Sequence, residues 1–447
     1  MTKNLKLLSS LAVVVFTISA CSPRTELDLS ETGSDTSEAL QNLKAVSVPA
    51  DPSILPQITS SKIADTEWGV NVKQLPSSKT HKKATVLSYM GFDNDKGGYR
   101  DELRQMINFH ENSGSSSVMN MLLQADGSDD KDLKRYLVVP DNNSSKMVSP
   151  YTSFKYERDS ADYRVLQAFV RWGFSTYPSQ IKMLDIDSHG GAFIGVVRDD
   201  TSGKLINLPN LSKAIKGSTG KVDILNFDAC LMGAVEVLYE LRDTTDVMIG
   251  SQDSTLGTGM LYTKALPSII STSNSNDEIA RKIVLASDIK GNKDFLLRPN
   301  KKGKIPNVYT VAAFKAKNIG SLASELDKLS KLILSKISTQ KQAIKVALDG
   351  THALHVDEDD MGGQRDLSEI LSRIIFTNSD VSIKNQATLA KTALNKSIII
   401  ARINNNEKYA QGMGINISPT NLASDSYKAT AFAKETSWDE MILAVNK

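Results

Sequence analysis

The sequence predicts an α/β fold: a mostly parallel sheet with helices on both faces, followed by a largely helical C-terminal part. Three observations carry this. Between about residues 84 and 251, short runs rich in branched and aromatic residues alternate with stretches whose apolar residues recur at helical spacing, the signature of strand–helix–strand units in a buried parallel sheet. Two of those runs, 181–186 and 222–227, end directly in polar residues capable of chemistry, which is where open α/β sheets keep their reactive groups. Beyond about residue 270 the spacing becomes mainly helical, most clearly over 319–337.

Composition agrees. The 447 residues are 40% hydrophobic and 23% charged, an ordinary globular balance in a chain long enough for two domains or one extended α/β domain. A formal net charge of +2 gives no electrostatic case for nucleic acid, and no glycine loop is spaced to cradle a phosphate.

In chain order, residues 1–21 read as a targeting segment. Lys3 and Lys6 precede a short apolar run over 11–18, which ends in Ile18-Ser19-Ala20-Cys21. The run is too short to span a bilayer. The final four residues resemble a bacterial lipoprotein cleavage box, in which Cys21 becomes the acylated first residue. Two or three acyl chains would anchor the chain stably. Ser22 carries no acidic retention signal, so the outer membrane or cell surface is expected rather than the inner membrane. Residues 22–80 are rich in Ser, Thr, Asp, Glu and Pro and read as a flexible tether.

Residues 81–270 read as the catalytic core. Strands are expected over 84–90, 117–124, 134–139, 181–186, 222–227 and 247–251, and helices over 102–109, 162–174 and from Leu231 to Leu241. The stretch 199–221, with Lys204, Lys213 and Lys216, reads as a polar loop. Residues 271–447 read as a mainly helical part packed on this core, with strands over 308–314, 397–401 and 412–417. His81 and His110 read as solvated surface residues. His352, His355 and Asp357 to Asp360 read as a polar loop rather than a cation site, because they lack the ligand spacing of one.

The candidate chemistry lies at two strand ends. The run Val-Asp-Ile-Leu-Asn-Phe-Asp-Ala-Cys, 222–230, delivers Cys230 to the start of a helix, whose dipole favours thiolate. Strand alternation puts Asn226, Asp228 and Cys230 on one face. The chain has two cysteines. With Cys21 acylated, Cys230 has no second cysteine to bond, and a thiol in an exported protein is then a reactive one. His189 follows the 181–186 run, and the separation of the two residues leaves room for one crossover, which brings both to the same sheet edge. A thiol beside a histidine that titrates near neutral pH is the minimum for acyl transfer. Gly190 lets substrate approach the backbone, and its N–H is a candidate oxyanion donor.

These residues resemble the clostripain family of cysteine peptidases, within the caspase-like clan. The likeness rests on His189-Gly190 after one strand and Asp228-Ala229-Cys230-Leu231-Met232 after the next. It extends to Thr85–Met90, to Trp172–Pro178, to the Gly412–Pro419 segment and to Thr436-Ser437-Trp438, so it covers roughly 83–445. The resemblance implies a caspase-like α/β/α sandwich, Cys230 as nucleophile and His189 as acid and base. It also implies a peptide or protein substrate cut after arginine or lysine, with Asp228 at the base of the pocket. Where the family often has Pro-Gly-Asp-Gly-Trp, this chain has Leu256-Gly257-Thr258-Gly259-Met260. Thr258 thus stands where a second pocket carboxylate is expected, and Asp253 is the candidate to compensate. Some members need calcium or cut themselves between the histidine and the cysteine. Calcium enters through the resemblance alone; no cofactor is firmly implied, and no metal site is read from the residues.

Two other readings use the same residues. One is a surface binding protein on this fold, against which the presence of both His189 and Cys230 weighs. The other is a thiol acyltransferase or transpeptidase, which product analysis separates from hydrolysis.

Overall fold

The structure, a computed structural model, describes residues 75, 77–78, 80–93, 100–127, 133–142, 147–154, 158–255, 262–287, 310–354, 363–403 and 409–447. Cys21, Thr258, His355, Asp357 to Asp360 and nearly all of the tether lie outside the described residues. In chain order the strands are β1 (Lys82–Gly91), β2 (Met119–Asp126), β3 (Lys134–Leu137), β4 (Tyr151–Ser153), β5 (Ser179–Asp187), β6 (Val196–Asp199), β7 (Lys204–Ile206), β8 (Val222–Asp228), β9 (Thr245–Gly250), β10 (Thr310–Lys315), β11 (Gln364–Asp366), β12 (Ile398–Ile403) and β13 (Gly414–Asn416). The longer helices are α1 (Arg100–Glu111), α2 (Tyr163–Thr176), α3 (Leu208–Thr219), α4 (Val235–Leu241), α5 (Leu266–Thr272), α6 (Asn276–Ala286), α7 (Ala316–Ser335), α8 (Ile337–Asp349), α9 (Leu367–Thr377), α10 (Val381–Ser397) and α11 (Trp438–Asn446).

Nine strands form the main sheet, ordered β12-β10-β9-β8-β5-β1-β2-β3-β4. The central run β9-β8-β5-β1-β2 is parallel throughout. Both flanks are antiparallel. The composition of the central strands explains their place. Residues 84–91 of β1 and all of β2 are buried, because a parallel strand is covered by crossover helices on both faces and must be apolar on both.

Two cores follow, one per face. Leu87, Leu184, Leu225 and Phe227 pack with Phe169 of α2, Ile215 of α3, Leu238 of α4 and Leu326 of α7. Val86, Met183, Ile224 and Val247 pack with Ile107 of α1, Ile270 of α5 and Ile283 of α6. The result is an α/β/α sandwich. Helices α8, α9, α10 and α11 widen the first core through Leu348, Ile370, Leu394 and Met441, while β10 and β12 extend the sheet itself.

Two readings need correction. Residues 199–221 are not a loop. They hold the end of a β6–β7 hairpin and all of α3. The Asn207 side chain caps α3 by accepting from the Asn210 N–H, and Leu208, Leu211, Ala214 and Ile215 are buried. The exposed lysines had masked that apolar period. His110 is likewise not solvated: it is 4% exposed, and its Nδ1 lies 2.8 Å from the Met106 carbonyl oxygen. Burial on the sheet side of α1 lowers its pKa, the Met106 bond opposing the shift.

Candidate active site

The site begins where β5 and β8 end side by side. Pairing puts Asp187 opposite Asp228, and the Ser188 N–H continues the ladder by donating to the Asp228 carbonyl at 3.4 Å. The Ser188 hydroxyl donates to the Gly91 carbonyl at 2.6 Å, tying the end of β5 to the end of β1. His189 comes next, 6% exposed. The Val197 N–H donates to its carbonyl at 3.0 Å, so β6 folds back over it.

Gly190 is where the two strand ends meet. A Cβ on Gly190 would overlap the Cys230 carbonyl oxygen and stand 3.1 Å from both Ala229 Cβ and Met232 Cγ. The backbone after the histidine thus touches the backbone of the cysteine, and only a glycine leaves room for it.

Cys230 sits in a sharp turn. Leu231 adopts φ 66°, and its N–H donates to the Asp253 carbonyl at 3.1 Å. Two residues on, the Gly233 N–H donates to the Ser251 carbonyl at 2.6 Å. Alternation along β8 does not reach the cysteine. The strand ends at Asp228, and Cys230 packs with Phe227 and Ala229 in the core of the opposite face. The expectation that Cys230 shares a face with Asn226 and Asp228 fails for that reason. Among the described residues, left-handed backbone at non-glycine positions is confined to Ala192, Val197 and Leu231. All three flank His189 or Cys230, and such strain costs about 1–3 kcal/mol each where surrounding structure holds it.

The Cys230 sulfur accepts a hydrogen bond from the Thr255 N–H at 3.2 Å, with the Thr255 hydroxyl 3.6 Å away. Sequence reasoning missed Thr255, since a backbone N–H leaves no mark in the residue type. No cysteine among the described residues is a free thiol, so reductant belongs in any assay of this site. Asp253 is fully buried; its carboxylate accepts from the Ser254 N–H at 2.7 Å.

Below the turn lies a buried polar group on the other face. The Asn226 amide donates to Asp185 at 2.6 Å and to the Tyr262 hydroxyl at 3.2 Å, and the Ser88 hydroxyl donates to Asp185 at 2.9 Å. Desolvation raises the pKa of Asp185, with the hydrogen bond from Asn226 the largest opposing effect. His352 stands apart, its Nδ1 2.6 Å from Glu369. Among the described residues no group of His, Cys, Asp or Glu is arranged to hold a metal ion.

The far end of the chain completes the floor. The Gly414 N–H of β13 donates to the Gly233 carbonyl at 3.0 Å. The Asn416 N–H donates to Glu236 at 2.9 Å, and the Trp438 indole donates to the Asn416 carbonyl at 3.0 Å. Full burial pushes the Glu236 carboxyl up to about 7. These ties place the late glycine-rich segment and the terminal tryptophan against the cysteine turn.

Comparison with known proteins bears on the family and the fold. Residues 88–443 match the clostripain family. Clostripain from Hathewaya histolytica is 23% identical in an alignment over 259 residues that covers 49% of this chain and 48% of that protein. The match therefore spans about half the length of that relative. A secreted C11 cysteine protease from Bacteroides thetaiotaomicron, solved with an irreversible peptide inhibitor, is similar over 81% of this chain and 99% of its own, at 18% identity and a TM-score of 0.58. An inactive zymogen C11 protease from Parabacteroides distasonis covers the same shares at 18% identity and a TM-score of 0.56. At such identities the two structures speak for the fold.

Proposed function

This chain belongs to the clostripain family of cysteine peptidases, and from that premise we propose that it is a lipid-anchored, extracytoplasmic endopeptidase cutting peptides after arginine or lysine. Cys230 is the nucleophile and His189 the acid and base. The observation that carries this is the contact between Gly190 and the Cys230 backbone, which supports a histidine and a thiol working on one substrate. The Cys230 thiolate attacks the scissile carbonyl, forming the carbon–sulfur bond. The Gly190 N–H stabilises the oxyanion, and protonated His189 gives its proton to the leaving amine. His189 then takes a proton from water, which displaces the thiolate and releases the acid. Asp228, two residues before the nucleophile, is the selector for the basic side chain.

The test is a peptide library incubated with the full chain in detergent and reductant, with cut sites read by mass spectrometry. Cuts after arginine, then lysine, are expected, each product ending in a free carboxylate. Cuts after apolar or acidic residues would refute the specificity, and products joined to added amines would make the enzyme a transferase.

The anchor is proposed at Cys21, with residues 22–80 as the tether that holds the catalytic body off the membrane. Among the described residues no helix is long and apolar enough to cross a bilayer. A thioether on Cys21 would also keep it out of any disulfide and leave Cys230 in the thiol form. Wild-type protein should sediment with membranes and partition into detergent, and Cys21→Ser should appear in the soluble fraction. Equal membrane recovery of the two proteins rules the anchor out.

A further inference from the structure

We propose that Glu236 is a positioning residue for the reaction: its carboxyl clasps the C-terminal segment between the helix that follows Cys230 and the loop that follows His189. This rests on Cys230 and His189 being the reacting pair, as proposed above. It gives a role to a residue six positions beyond the nucleophile, outside the motifs that mark the site.

Glu236 stands in the first turn of α4, directly after the turn that holds Cys230. The Gly233 carbonyl accepts from the Gly414 N–H, and Ala234 bridges to Gly414, so β13 lies along the exit from that turn. Glu236 Oε1 then accepts from the Asn416 N–H at 2.9 Å, and the Asn416 carbonyl accepts from the Trp438 indole at 3.0 Å. On the histidine side stands Tyr427. Its phenol acts on the Glu236 carboxyl, and its ring packs edge-on against Phe193 with centroids 5.2 Å apart. Phe193 is four residues beyond His189, and next to it Ala192 is held at φ 50°. Glu236, Asn416, Tyr427 and Phe193 are all buried. One side chain thus joins the cysteine helix, the histidine loop and the C-terminal end of the chain.

The clasp works with the proton on. Oε2 is buried and accepts no well-aligned hydrogen bond, and the Tyr427 hydroxyl makes none. Full burial pushes the carboxyl up to about 7, against the lowering effects of the Asn416 N–H, its own N–H and the Tyr427 hydroxyl. Among the described residues no lysine, arginine or histidine acts on it. Tyr427 is held neutral, since burial and then Glu236 raise it well above the usual range. Asp439 and Glu440 of α11 act on that phenol; desolvation lifts Asp439 to about 6, and Lys428 acts on Asp439. Glu240, one turn along α4, accepts from the Ala431 N–H at 2.6 Å. A buried carboxylate without a counter-charge draws in water or turns away. Either movement parts Tyr427 and β13 from the loops they brace, so the reacting pair loosens from behind. A glutamine amide imitates the protonated carboxyl, with its oxygen free to accept from Asn416.

The experiment compares the full chain with Glu236→Gln and Glu236→Ala in detergent and reductant. It reads kcat and KM per reactive thiol from about pH 5.5 to about 8.5, and thermal unfolding on the same samples. Glu236→Gln should keep kcat within about threefold of wild type at the acid end. The ratio of the two should climb about threefold or more towards the alkaline end, because only the wild type ionises. Glu236→Ala should lose about tenfold or more in kcat at every pH, with KM little changed. Stability has its own sign. A carboxyl at about 7 in the folded chain, against an ordinary 4.5, stabilises most below 4.5 and loses that contribution as pH rises through 7. The unfolding temperature of the wild type should therefore fall relative to Glu236→Gln across that window. Parallel pH profiles for wild type and Glu236→Gln overturn the proposal. So does full kcat per thiol in Glu236→Ala, which leaves a residue that only stabilises the fold. Hydrolysis that survives Cys230→Ala removes the reacting pair itself and the proposal with it, and that result is read first.

Discussion

Replacing Cys230 by alanine should abolish peptide hydrolysis, with a loss on the order of 10⁴-fold or more, because it removes the proposed nucleophile that forms the acyl intermediate. Labelling of the protein by thiol-directed reagents under reducing conditions should disappear as well. The fold should persist. The sulfur is fully buried, so its removal leaves a small cavity and takes away the acceptor of the Thr255 N–H. Together these cost about 1–3 kcal/mol, a modest part of the stability of a core this large. Activity and thermal unfolding are measured on the same preparation. Hydrolysis retained at more than about 1% of wild type, after contaminating peptidases are excluded with a thiol inhibitor, would sink the nucleophile assignment.

The second large effect is expected at Gly190. An alanine there would overlap the Cys230 carbonyl oxygen and crowd Ala229 and Met232. These neighbours cannot yield easily, since two backbone segments meet and neither is a flexible side-chain end. The strand ends must move apart, which costs about 1–3 kcal/mol as an overpacked contact. The catalytic cost is larger, because a shift near 1 Å between nucleophile and acid costs about 100-fold in rate. Gly190→Ala should therefore unfold at a lower temperature, stay folded at 20 °C, and show kcat reduced about 100-fold or more. Thiol labelling of Cys230 separates a displaced pair from an unfolded protein: the folded variant still reacts, but slowly. Wild-type kcat in Gly190→Ala would mean that this contact does not set the geometry.

Much of the sheet was legible because buried strands and covering helices carry distinct periods. The runs at 84–90, 181–186 and 222–227 lie within β1, β5 and β8, and Asp162 caps α2 at the start of its expected helix. Where lysines lay on the exposed side of a short amphipathic helix, as in α3, their charge outweighed the apolar period and the segment was misread. His110 was misread for a related reason. Glu111, Asn112 and Ser113 follow it in sequence, but the face of α1 that bears it turns to the sheet.

The sequence by itself determined that a histidine and a cysteine each follow an apolar strand in an α/β chain, and which glycine and aspartates flank them. Only the tertiary structure decided what those residues meet. Strand order sets β5 between β1 and β8, and register, not residue type, puts Asp187 opposite Asp228. The left-handed turn at Leu231 swings Cys230 off its strand face towards the Thr255 N–H, and β13 arrives from almost two hundred residues away to bond Gly233. The physical reason is that periodicity records which face of its own element a residue occupies. Pairing between distant strands is instead settled by burying the whole sheet at once, so its contacts appear only when every strand is in place.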